Sequence, residues 1–197
     1  MGTVMGQQDD IVQQNDRLLL RPVNESDIPA LIELRTSESL NRYTGWNNPD
    51  TESWVREMVR EMQEKKPGEA GFSDSWYQYA IVDKTSGATA GDIGVGFGVP
   101  GPRQAEIGYR LLEAFHGRGL AGEAVGMMID HLFSDHELHR LVAVVAAPNN
   151  PSSRLVEGLG FRREGVFHKS FWCRGEWLDD YYYALLREEW SRRRGGH

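Results

Sequence analysis

The stretch Glu113-Ala114-Phe115-His116-Gly117-Arg118-Gly119-Leu120-Ala121-Gly122-Glu123 decides how this chain is read. Upstream, Ala105 to Leu112 reads as a strand. Downstream, Leu120 to Phe133 sets Ala121, Val125, Met128 and Leu132 on one helical stripe. The stretch is therefore a glycine-rich turn from strand to helix. Glycine has no Cβ, so the N–H groups of such a turn can face one point, and the helix start adds the positive end of its dipole. Both favour an anion, typically a phosphate or pyrophosphate, and Arg118 can add charge. The bland alternative is a tight turn with no ligand.

Gly117, Gly119 and Gly122 also spell G-x-G-x-x-G. The dinucleotide reading of that pattern needs an acid at the end of the next strand to bind ribose. Here that strand ends Val144-Val145-Ala146-Ala147-Pro148, without one, and the turn follows a meander instead of opening the chain. A P-loop needs Gly-Lys-Ser/Thr, which is absent.

Working outward, Leu18 to Val23 reads as a strand, and Ser26 or Asp27 caps a helix carrying Ile28, Leu31 and Ile32. Asn41 to Pro49 is a loop holding Tyr43 and Trp46. Trp54, Val55, Met58, Val59 and Met62 form one apolar helix face. Trp76 to Val82, Ala90 to Val99 and Ala105 to Leu112 make an antiparallel meander. After the helix come a buried strand, Leu141 to Ala146, and a short helix, Asn149 to Gly158. A hairpin of Phe161 to His168 with Trp177 to Leu186 follows, then a last helical turn or two to Arg192. Residues 1–15 read as a flexible arm, 16–191 as one domain and 192–197 as a flexible tail.

The 197 residues carry 22 Lys and Arg against 29 Asp and Glu, a net charge of −7. An acidic surface repels phosphate backbones, so no direct nucleic-acid binding is expected. The surplus carboxylates suit a cationic partner such as an amine, or serve as solubility charge. A single cysteine, Cys173, fits a reducing compartment. No signal peptide and no apolar run of about 18 residues is read, so the expectation is a cytoplasmic protein with no membrane partner. Monomer and homodimer both stay open. His131, His136 and His139 have no standard zinc spacing and read as surface histidines, so no metal is expected. A Ser-His-Asp hydrolase lacks its Gly-x-Ser-x-Gly.

These residues resemble the GNAT superfamily of N-acetyltransferases, and within it the branch acting on N-terminal alanines of ribosomal proteins. The resemblance spans about residues 16 to 190. It rests on Arg17-Leu18-Leu19-Leu20-Arg21-Pro22 with Asp27, and on Glu106-Ile107-Gly108-Tyr109-Arg110-Leu111 leading into His116-Gly117-Arg118-Gly119-Leu120-Ala121. It continues through Asn149-Asn150-Pro151-Ser152-Ser153 to Gly160-Phe161, Gly175-Glu176-Trp177-Leu178-Asp179 and Tyr183-Ala184-Leu185-Leu186. The resemblance implies an α/β (α+β) fold: a mixed, mostly antiparallel sheet of about six to seven strands flanked by about four helices. It implies acetyl-CoA as co-substrate, with its pyrophosphate on the backbone from His116 through Gly117, Arg118, Gly119, Leu120 and Ala121 to Gly122. His116 departs from the family's Gln or Arg, but backbone donors do the gripping. Leu111 and Leu112 would offer backbone groups to the pantetheine arm where the strand splays, and Asn149 would hold it from the other side.

The acceptor implied is a protein or peptide N-terminal amine; a small amine (aminoglycoside, polyamine or amino acid) and a non-catalytic acyl-CoA-binding module are the alternatives. Transfer to an amine needs a neutral nucleophile about 3 Å from the carbonyl carbon, a proton acceptor, and stabilisation of the oxyanion and thiolate. Glu106 is the candidate base if it faces the cleft; otherwise it is a surface glutamate, with Arg110 on the same strand face as its ion partner. Ser152 holds the Asn-x-x-Ser position near sulfur, or satisfies backbone in a first helical turn. The family's tyrosine acid is replaced by Val156. Tyr43, Trp46, Trp54, Trp172, Trp177, Asp179 and Asp180 supply aromatics and carboxylates suited to an ammonium group, with Tyr43, Trp46, Trp172 and Asp179 the chosen substrate contacts.

Overall fold

Burial along the strands tells how the sheet is covered. Gln104–Leu111 alternates, with Ala105 and Ile107 buried between half-buried neighbours, whereas Trp76–Asp83 and Thr89–Phe97 are buried almost without interruption, as strands covered on both faces are. The computed structural model describes residues 11–64 and 76–195; the first ten residues of the expected arm and the last two of the expected tail lie outside these. In chain order the strands are β1 (Gln13–Gln14), β2 (Leu18–Pro22), β3 (Trp76–Asp83), β4 (Thr89–Phe97), β5 (Gln104–Leu111), β6 (Arg140–Ala146), β7 (Arg162–Cys173) and β8 (Glu176–Leu186). The helices are α1 (Ile28–Thr36), α2 (Thr51–Glu64), α3 (Leu120–Asp135), α4 (Asn150–Leu159) and α5 (Arg187–Arg194).

All eight strands join one sheet in the order β1-β2-β3-β4-β5-β6-β8-β7. Every pairing is antiparallel except β5 with β6. Eight strands and five α-helices among the described residues exceed the six to seven and four expected. The additions are at the ends of the chain. Gln13 and Gln14 of the expected arm pair with Leu20 and Leu19, and α5 carries the arginines to Arg194. The hairpin is also longer than its alternation suggested, because the register shifts between Phe167 and Phe171 interrupt the period-two pattern.

Entry into α1 differs from the sequence reading in its cap. No side chain caps α1; Asn24 instead caps the 3-10 turn Glu25–Asp27 that leads into it: its side chain accepts from the Ser26 N–H, and its own N–H donates to Asp27. Asp27 is fully buried, and its carboxylate is committed to Arg21 (2.7 and 3.0 Å) and to the Thr89 hydroxyl, leaving nothing to cap α1.

Parity along the strands places the helices. Asp92 of β4 bonds Arg35 of α1 at 2.8 Å, whereas Tyr79 of β3, on the opposite parity to the Ala80 that pairs with Asp92, stacks on His131 of α3. The two helices therefore cover opposite faces. The β5–β6 pairing holds only at Gln104–Arg140, Ala105–Leu141 and Glu106–Val142. Beyond Glu106 the strands part, and β6 continues on β8 alone.

Candidate active site

That divergence opens a cavity of about 510 Å³. Directly opposed residues share a sheet face, so Trp76, Gln78, Asp92, Gly94, Glu106, Gly108, Arg110, Val144 and Asp180 line it from one side. Tyr109 has the other parity and reaches the cavity through the gap, with Asn149 and Ser152 from α4 and its cap. The α1–α2 connection adds Tyr43 and Trp46.

Glu106 faces the cavity at the last paired position before the strands part. Its carboxyl is pushed above the usual range, first by burial and then by the negative charge of Asp180. Arg110 is not its ion partner. Arg110 Nε lies 3.6 Å from Asp92, and among the described residues no ion pair or hydrogen bond holds the Glu106 carboxylate. Asp180 is likewise shifted up by burial, while the Ser170 hydroxyl donates to it at 2.9 Å.

On the opposite side of the gap, the Tyr109 and Ser152 hydroxyls lie 2.8 Å apart. Burial raises the Tyr109 hydroxyl to about 12, so it stays protonated at neutral pH. A tyrosine thus stands beside Ser152 although Val156, fully buried, occupies the expected tyrosine position. Sequence reasoning missed Tyr109 because it sought the hydroxyl on α4, and this one comes from β5. Cys173 is buried, donates to the Arg42 carbonyl at 3.4 Å and does not line the cavity.

Two arginines form the other end of the cavity. Arg35 is 2% exposed and binds Asp92, with its guanidinium carbon 5.7 and 5.3 Å from the Trp46 and Trp54 ring centres. Burial and then the Arg110 charge lower its pKa, against the pull of Asp92. Nothing in the sequence marked Arg35, Asp92 or Arg110 as a group, because they come from three separate elements.

The glycine turn lies at the C-terminal end of β5. Gly117 and Gly119 adopt left-handed backbone (φ 69° and 76°), with nothing within 4 Å of where a Cβ would stand. Among the described residues no protein acceptor takes the N–H groups of Gly117 to Gly122; the first helical donor in α3 is Glu123, to the Gly119 carbonyl. Six donors at a helix start, over open glycines, fit a diphosphate. His116 differs from expectation: its N–H bonds the Glu113 carbonyl and its ring bonds the Leu111 carbonyl at 2.9 Å, so it braces the turn. The Leu112 N–H is committed to the Ala90 carbonyl at 2.9 Å. By ladder alternation, the main-chain groups facing the gap belong to Tyr109 and Leu111. Arg118 stays exposed, 3.8 Å from Asp83.

Of the expected substrate contacts, Tyr43 and Trp46 line the cavity; Asp179 and Trp172 do not. Asp179 accepts from the Lys169 N–H (2.8 Å) and pairs with the His168 ring (3.1 Å), which hold its carboxyl below the usual range. Strand alternation aims its neighbour Asp180 inward instead. Trp172 is 54% exposed and lines a separate hollow with Trp46, Arg174 and Gly175. His131 is not a surface histidine: it is buried, 2.7 Å from Asp135 and 3.1 Å from the His136 ring.

Residues 17–162 match the family model described as an acetyltransferase (GNAT) domain. The uncharacterized N-acetyltransferase YnaD of Bacillus subtilis is 29% identical over 89% of this chain and 96% of its own length. The putative ribosomal N-acetyltransferase YdaF of Bacillus subtilis is 40% identical over 45% of this chain and 49% of its own. Among solved structures, Mycobacterium smegmatis RimJ in complex with CoA-disulfide superposes with a TM-score of 0.71 at 26% identity, covering 87% of this chain and 83% of that one.

Proposed function

The chain belongs to the GNAT acetyltransferase family and is an N-acetyltransferase, and on that premise we propose that it moves the acetyl group of acetyl-CoA to a protein or peptide N-terminal amine by direct attack. Acetyl-CoA supplies an activated thioester and a thiolate leaving group. The N–H groups of Gly117 to Gly122 hold its pyrophosphate, and main-chain groups of Tyr109 and Leu111 meet the pantetheine arm, with Asn149 across the gap. The Glu106 and Asp180 carboxylates attract the acceptor ammonium, and Glu106 takes the proton that makes it a nucleophile. As the C–N bond forms and the C–S bond breaks, the Tyr109–Ser152 hydroxyl pair gives a proton to the departing sulfur and is refilled by the second proton shed from the amine nitrogen. A neutral phenol is a donor at pH 7, so this pair does the work expected of a tyrosine on α4.

The observation that carries this reading is the position of Glu106, a desolvated carboxylate at the parting of β5 and β6. The resemblance to YdaF, named as a putative ribosomal N-acetyltransferase, favours a protein N-terminus over a free amine.

A panel tests it: free-thiol release from acetyl-CoA and succinyl-CoA with N-terminal peptides, N-terminally blocked peptides, polyamines, aminoglycosides and amino acids. Expected are acetyl-CoA turnover with free N-termini and none with the blocked peptides. Faster turnover of a small amine than of any peptide replaces the acceptor assignment; donor binding without thiol release refutes the activity. Tyr109→Phe and Ser152→Ala are each expected to lower kcat, with the double variant no worse than the poorer single, because the two hydroxyls act as one unit. Additive losses in the same assay would separate them.

A further inference from the structure

Charge is divided along the cavity. One end holds two carboxylates, Glu106 and Asp180. The other holds two guanidiniums, Arg35 and Arg110, sharing a single carboxylate, Asp92, at 2.8 and 3.6 Å. The remaining side chains at that end, Trp46, Trp54, Trp76 and Gln78, are uncharged. One positive charge is therefore left over; Asp92 and Arg35 are buried, and the Arg110 side chain, 22% exposed, presents that charge at the cavity wall. Two buried donors, Arg35 Nε and Arg110 Nη1, also have no acceptor among the described residues. A buried polar group left unbonded is costly, so a purely structural cluster gains nothing from two of them. An anion in the cavity satisfies both the charge and the donors.

The floor between the two ends is glycine backbone covered by Trp76, whose ring lies 3.3 Å from the Cβ position of Gly96 and 3.6 Å from that of Gly108. Glu106 and Arg110 lie four residues apart on one strand face, about 13 Å along the chain. Gly108 stands between them, paired with Gly94 on β4. A Cβ on Gly94 would sit 2.9 Å from both Gln78 Nε2 and Trp76 Cε3, so the close approach of these side chains requires glycine there. A ligand can lie across the Trp76 ring with its amine toward Glu106 and an anionic group toward Arg110.

We infer that the acceptor carries a carboxylate, bound by Arg110 and Arg35 at the end of the cavity away from the attacked amine. The inference rests on the peptide N-terminal reading above and narrows it to peptides with an acidic side chain within the first few residues. The planar fork of arginine suits a carboxylate, which it can grip through two parallel hydrogen bonds. The α-carboxylate of a free amino acid offers the same chemistry, and the assay separates the two sources.

Matched acceptors test this: peptides opening Ala-Glu against Ala-Gln and Ala-Ala-Glu against Ala-Ala-Gln, and a free amino acid against its amide. The wild-type protein is expected to show kcat/KM about tenfold or more higher for an acidic peptide than for its amide twin, carried mainly by KM. In Arg110→Gln the ratio is expected to collapse toward one, and Arg110→Lys to restore part of it. Calorimetric binding of coenzyme A confirms that each variant is folded. Equal wild-type rates for acid and amide peptides overturn the carboxylate inference while leaving N-terminal acetylation in place. A preference confined to the free amino acid over its amide upholds the arginine site but overturns the acidic side chain as its occupant. Thiol release with no acceptor at all takes down the earlier reading, and this inference with it.

Discussion

Gly119→Glu is expected to abolish acetyl-CoA binding while leaving the protein folded. Gly119 caps α3 with φ 76°, and no atom lies within 4 Å of its missing Cβ. The fold can therefore accept the side chain, at about 1–2 kcal/mol for left-handed backbone in an L-residue. The ligand site cannot. A carboxylate placed among the N–H groups of Gly117 to Gly122 takes those donors itself and repels the diphosphate. Opposed like charges cost several kcal/mol, and each 1.4 kcal/mol is tenfold, so calorimetry is expected to show binding about a hundredfold or more weaker. Gly119→Ala separates the two effects: it keeps the backbone cost without the charge and should lose far less. Wild-type affinity in Gly119→Glu would remove the diphosphate from this turn.

Glu106→Gln is expected to lower kcat by about 10²–10⁴ at neutral pH, the range for a positioned general base. Its pH dependence identifies the role. Burial and the Asp180 charge favour the protonated form and raise the Glu106 pKa above the ordinary carboxylate value. A base works only when deprotonated, so the wild-type rate should rise as pH climbs through that raised pKa and then level. Glutamine has no such limb, and its deficit should shrink at high pH, where the acceptor amine is already neutral. Asp180→Asn removes a negative neighbour, favours ionised Glu106 and should move the wild-type limb to lower pH. A Glu106→Gln rate equal to wild type at pH 7 would remove Glu106 from the mechanism.

Much of this site was legible before any coordinates. Gly117, Gly119 and Gly122 at a strand-to-helix turn signal open N–H groups through local geometry alone, and the structure keeps that turn local. Glu106 was legible as a candidate because it lies on the strand feeding the turn, yet whether it met the cavity or Arg110 depended on what stood across the sheet. Asp92, from β4, took Arg110 and left Glu106 for the cavity. Asp179 and Asp180 show the limit of adjacent positions. They differ by one residue, and strand parity sends them to opposite sides: one into a turn with His168 and Lys169, the other into the cavity.

The order of strands and helices from Leu18 onward, the anion-ready turn and the lack of a tyrosine at Val156 follow from the linear sequence, because each depends on residues a few positions apart. The pairing of Tyr109 with Ser152, 43 residues away, and of Arg35 with Asp92, 57 residues away, does not. Those contacts exist because β5 and β6 separate after Glu106 while α1 packs across β4. Which polar groups end up buried together, and which are left with a charge or a donor unmatched, is a property of the packed chain in three dimensions, where burial raises the electrostatic cost of every unpaired group.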